Sequence, residues 1–154
     1  MLLALEVLVA VVIVAMAFLF TRNRLPEEEL WPFVPRPLLT AQERVLFRQL
    51  VEALPKRHVF AHVPLSQVLD VKTGVPAQEW MNLLSQKTVD FLVCSEDSTI
   101  VGAIGLDDGS PKTSVHRQAN EVRDKALTDA GVKVLRWATS ALPDRNAIRE
   151  AFAS

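Results

Sequence analysis

Cysteine occurs once, as Cys94, so no intramolecular disulfide staples the chain. Neither sign of charge is in excess: 17 Lys and Arg stand against 18 Asp and Glu. Nucleic-acid binders usually carry a basic excess, and the sequence as a whole has none. It contains no internal repeat, phosphate-binding glycine loop, dinucleotide fingerprint or serine nucleophile elbow. Long apolar runs are equally scarce. The single instance is residues 1–20, where only Glu6 falls outside the hydrophobic set. One such run excludes a polytopic membrane protein. The other 134 residues are about 42% hydrophobic, an ordinary globular composition that excludes a disordered chain. A length of 154 residues leaves room for one domain, not two.

Leu2 to Phe20 spans about 28 Å as a helix, against about 30 Å for a hydrocarbon core. The run is expected to be a transmembrane anchor over residues 1–20 and the chain's contact with a membrane. Arg22 and Arg24 follow it and no basic residue precedes it. Positive-inside logic then gives a single-pass inner-membrane protein, N-terminus out and C-terminal domain in the cytoplasm. Ala15-Met16-Ala17 resembles a signal-peptidase site, but no basic segment precedes it and Phe18-Leu19-Phe20 continue the apolar run. Residues 21–39 hold Pro26, Pro32, Pro35 and Pro37 and the acidic run Glu27-Glu28-Glu29, and read as a stiff juxtamembrane linker. Trp31 and Phe33 have two readings, as interface anchors or as groups docked on the domain.

Residues 40–154 read as the cytoplasmic domain. Thr40-Ala41-Gln42-Glu43 is a capping box, and Phe47, Leu50, Val51 and Leu54 repeat at helical spacing, which predicts a helix over 41–54. His58–Val63 reads as a strand and 77–86 as a short helix. Thr88–Ser95 and Thr99–Asp107 are β-rich runs around Glu96-Asp97-Ser98, which predicts a hairpin. A helix over 114–130 ends at Gly131, a strand follows over 132–137, and Pro143-Asp144 opens a last helix. The class is α/β with an antiparallel hairpin inside a mixed sheet.

The hairpin carries the candidate chemistry. If Ser95 pairs with Ile100, Asp90 faces position 105, and Asp107 shares that face two residues along. Two carboxylates so placed can hold a hard divalent ion such as Mg²⁺. A one-residue slip separates them onto opposite faces. Asp107-Asp108-Gly109-Ser110 is also a good turn sequence. His58 and His62 suit zinc only on a helix; in a strand they lie about 13 Å apart, so neither is expected to bind metal. His116, Arg117, Arg123 and Lys125 can meet a phosphate backbone, but the Arg117–Glu121 and Glu121–Lys125 spacings favour a solvated helix face. Cys94 has no paired base and reads as a buried strand thiol.

Leu38-Leu39-Thr40-Ala41-Gln42-Glu43, Val89-Asp90-Phe91, Ala103-Ile104-Gly105-Leu106-Asp107-Asp108 and Ala126-Leu127 to Arg136 resemble an uncharacterised bacterial family related to the PD-(D/E)XK nucleases and their very-short-patch-repair-like branch. The resemblance covers roughly residues 37–140. It implies a restriction-endonuclease-like αβββαβ core with residues 72–87 inserted, and a catalytic set of Asp90, Asp107 and Glu43. Metal ligands would come from Asp90, Asp107 and Asp108, with weakly bound Mg²⁺ or no cofactor. The chain departs from the pattern at Gly105, where relatives carry Glu, and at Pro111, where they carry His. A gap is therefore expected at Gly105, and Gly105→Glu is expected to strengthen metal binding. The leading expectation is a membrane-anchored, catalytically impaired nuclease-like module that binds nucleic acid or protein. The alternatives are an active Mg²⁺-dependent endonuclease and a purely structural partner-binding domain.

Overall fold

The computed structural model describes residues 2–22, 32–110 and 113–153. Pro26, the acidic run, Trp31 and Pro111 lie outside them. The chain divides into a first unit, Met1–Arg36, and a second, Pro37–Ser154.

In the first unit, Leu2–Arg22 forms helix α1. A transmembrane helix was expected here, and it is not supported: no helix among the described residues is long and apolar enough to cross a membrane. Glu6 and Arg22 bracket an uncharged stretch of only 15 residues. That is about 22 Å of helix, short of the roughly 30 Å of a hydrocarbon core.

The second unit begins with α2 (Ala41–Ala53), and its capping box forms as the sequence predicts. The Glu43 backbone N–H donates to Thr40 Oγ1 at 3.3 Å, and the Thr40 N–H donates to Glu43 Oε2 at 2.7 Å. Next come β1 (His58–Pro64), a short 3₁₀ turn, α3 (Ala77–Ser85), β2 (Thr88–Cys94) and β3 (Ile100–Asp107). The chain finishes with α4 (Ser114–Asp129), β4 (Val134–Ala138) and α5 (Arg145–Ala151), the last capped by Asp144. The sheet runs β1-β2-β3-β4, antiparallel except for the parallel β3–β4 pair. This is an α/β fold with a mixed four-stranded sheet.

Strand β4 starts two residues later than expected because the preceding helix consumes its first backbone group. Gly131, at φ +82°, closes α4: its N–H reaches Thr128 O, and the Val132 N–H reaches back to Leu127 O, both at 2.9 Å.

Each face of the sheet is covered. Leu46, Leu50, Ile148 and Phe152 from α2 and α5's end pack with Phe91, Val93 and Ile104. Leu65, Leu84 and Leu127 pack with Leu92, Cys94 and Ala103. Alternation along β2 thus sends Phe91 and Val93 one way and Leu92 and Cys94 the other.

That alternation fails at one row. His62 has φ +53°, a left-handed conformation rare for a non-glycine residue in a strand. On either side of it, Ala61 packs in the first core and Val63 in the second. On the partner strand, Phe91 and Val89 divide in the same way. The pairs Ala61↔Phe91 and Val63↔Val89 bracket this row, which places His62 opposite Asp90.

Candidate functional site

Asp90 sits where the β2–β3 ladder ends. The expected Ser95–Ile100 pairing is replaced by Cys94↔Ile100, and an irregularity at Val93/Cys94 then brings in Val93↔Gly102 and Phe91↔Ile104. One step further, Asp90 stands opposite Gly105, as the hairpin reading anticipated. Asp90 Oδ2 accepts the Leu106 backbone N–H at 2.7 Å, so a side chain completes the ladder.

Three elements bring three ligand-bearing side chains together. Glu43 comes from the first turn of α2, His62 from the left-handed position in β1 and Asp90 from β2. One ligand atom from each lies within 4.8 Å of the others. His62 Nε2 is 3.5 Å from Glu43 Oε1. The side chains are largely shielded, with Glu43 13% exposed and His62 34%. Each carboxylate is oriented by a backbone amide: Thr40 N–H holds Glu43 Oε2, and Leu106 N–H holds Asp90 Oδ2. Such outer contacts fix the direction of metal ligands.

Glu43 and Asp90 line a cavity of about 720 Å³ together with Asp108, Ser110, Asn120 and Arg123. Arg123 was expected on a solvated helix face, but it is 8% exposed. Its Nη1 donates to Thr88 O at 3.2 Å and lies 4.0 Å from Asp90 Oδ2. Its Nε donates to Asp124 Oδ1 at 3.2 Å. Arg136 pairs with the other oxygen of Asp124, its Nη2 at 2.7 Å. The Nη2 of Arg123 is buried with no hydrogen-bond partner.

The gap expected at Gly105 is filled. A Cβ there would lie 2.9 Å from Arg123 Nη2 and 3.1 Å from Arg136 Nη1 and Cδ. Two guanidinium groups thus cover the position at which the resemblance calls for a carboxylate.

Asp107 and Asp108, both expected as metal ligands, stand outside the three-residue cluster among the described residues. Asp107 Oδ1 accepts Gly109 N–H at 3.3 Å; Asp108 Oδ1 accepts Ser110 N–H at 3.2 Å and the Ser110 hydroxyl at 2.8 Å. These are turn-forming contacts. Of the earlier set, Glu43 and Asp90 meet, and His62 is the member that sequence reasoning missed. Its signal, a position directly opposite Asp90, depends on a β1–β2 register that the intervening 3₁₀ turn and α3 hide. On α4, Lys125 pairs with Asp129 at 2.8 Å. Cys94 is buried, and burial pushes its thiol above the ordinary value, which removes it as a nucleophile.

A family model described as "Protein of unknown function (DUF2726)" matches residues 35–154. No curated protein and no solved structure matches the chain.

Proposed function

The chain belongs to the DUF2726 family, and from that premise we propose that its domain is a nuclease-like module that holds a divalent cation at Glu43, His62 and Asp90 and binds a nucleic-acid phosphate without cutting it. The convergence of three ligand atoms within 4.8 Å carries the reading. Two carboxylates and an imidazole fit a divalent ion, and their amide contacts leave Glu43 Oε1 turned toward His62. The ion, when bound, supplies positive charge to a phosphate oxygen. The chain itself supplies Arg123, whose guanidinium brings a positive charge to the lining of the cavity that Glu43 and Asp90 share, with its Nη1 4.0 Å from Asp90 Oδ2.

Impairment follows from Gly105. Phosphodiester hydrolysis needs carboxylates both to hold the ion and to activate water. The β3 position that would add one carries no side chain and is covered by Arg123 and Arg136.

The test uses the full-length chain with Mn²⁺ or Mg²⁺, a fluorescent DNA oligonucleotide for anisotropy and a supercoiled plasmid for nicking. The expected result is oligonucleotide binding that weakens in Arg123→Gln, with no nicking above background. Robust nicking that vanishes in Asp90→Ala would replace this reading with that of an active nuclease. Absence of any oligonucleotide binding would leave a partner-binding domain.

A further inference from the structure

Resting on that cation site, we infer that the ion it selects is a first-row transition ion of the Mn²⁺ or Zn²⁺ type, with His62 Nε2 as the selecting ligand. Mg²⁺ takes oxygen donors in a near-ideal octahedron and keeps much of its water. An imidazole nitrogen suits transition ions and adds little for Mg²⁺.

The spacing of His62 and Glu43 agrees. With bonds of about 2.1 Å, neighbouring ligands are about 3.0 Å apart on an octahedron and about 3.4 Å apart on a tetrahedron. The observed Nε2–Oε1 separation is 3.5 Å. It is also long for a hydrogen bond, which centres near 2.9 Å. The ring is therefore held at ligand spacing and is not drawn into a tight pair with Glu43.

The backbone supplies the second argument. A left-handed residue inside a strand is strained and persists where its surroundings over-determine it. Here the two cores fix Ala61 and Val63 on opposite sides, and His62 carries the turn between them. Arg123 provides the third: with its Nη1 4.0 Å from Asp90 Oδ2, a guanidinium already offsets part of that carboxylate's charge. A site so offset holds a hard ion by charge less well, and gains more from a donor nitrogen.

The discriminating variant is His62→Asn. Asparagine tolerates the left-handed backbone and exchanges the ring nitrogen for an amide oxygen. Full-length wild type and variant are titrated calorimetrically with MnCl₂ and with MgCl₂, and the Mn²⁺-loaded wild type is examined by pulsed electron paramagnetic resonance. The expected result is a loss of about tenfold or more in Mn²⁺ affinity in the variant, with Mg²⁺ affinity held within about threefold. The wild-type Mn²⁺ spectrum is expected to show ¹⁴N coupling, a readout that needs no variant to fold. Mn²⁺ binding without nitrogen coupling, or equal losses for both ions, overturns the role of His62 while leaving the cation site. Failure of both ions to bind overturns this inference and the proposed function together.

Discussion

At the scale of single residues, two roles converge on Asp90. Its Oδ2 satisfies the backbone N–H of Leu106 at the same time as the carboxylate joins His62 and Glu43. Asp90→Ala strands that amide, and urea unfolding should show a loss of about 1–3 kcal/mol. Asp90→Asn keeps an acceptor and should lose less stability, yet it should still weaken Mn²⁺ binding in the same titration. Gly105 yields the opposite of the sequence expectation. A glutamate there meets Arg123 and Arg136, so its carboxylate should pair with the unsatisfied Nη2 and not with an ion. Gly105→Glu should leave Mn²⁺ affinity unchanged, as measured by calorimetry against wild type. Arg123 must shift in any case to admit a Cβ at 2.9 Å, so a gain would mean that the position faces the ion after all.

Among the elements, α2 links fold and site through one side chain. Thr40→Ala removes the Oγ1 that accepts the Glu43 N–H, costing about 1 kcal/mol in thermal unfolding, while the backbone N–H that holds Glu43 Oε2 remains. Mn²⁺ affinity in the calorimetric titration should therefore change by less than about threefold. The hairpin turn offers a pH test. The Ser95 hydroxyl donates to Asp97 Oδ1 and the Thr99 N–H does so at 3.1 Å; together they hold the Asp97 carboxyl below its ordinary 3.8. The folded value is depressed, so the stabilisation is present above the unfolded value and is lost as pH falls through the folded one. The Thr99 amide resonance should therefore shift in acid below pH 3.8, and Asp97→Asn should abolish that shift.

These elements also show what the sequence made legible. The capping box, the hairpin and the Gly131 stop are local signals, written in consecutive residues, and each is formed. Asp90 was legible as a candidate because it breaks an apolar strand, whereas Glu43 by itself showed only a helix cap and became a candidate through the family resemblance. Arg123 was not, since the Arg117–Glu121–Lys125 charge spacing around it concealed the Ala119–Arg123–Leu127 spacing that turns it inward. His62 was hidden because pairing across a long insertion leaves no trace in sequence spacing.

Across the whole molecule, a parallel β3–β4 pair joined by α4 carries Arg123 and Arg136 to the same side of Gly105. Shortening either arginine should act at a distance in sequence but locally in space. Arg136→Ala releases Asp124, and because Asp124 also holds Arg123 Nε, a double-mutant cycle with Arg123→Ala should give a coupling of about 0.5–3 kcal/mol in urea unfolding. Additive losses would show that the two guanidinium groups are independent.

The row His62–Asp90 is, in crystal terms, a line defect: inside and outside exchange places there in both strands at once. Sliding either strand along its neighbour would move the defect and bring Ala61, Val63, Phe91 or Val89 out of its own core. Each core thus anchors the row against the other, as two immiscible phases pin the boundary between them. The placement of the ligands is then inherited from apolar packing and precedes any ion, and the site should keep its geometry when emptied.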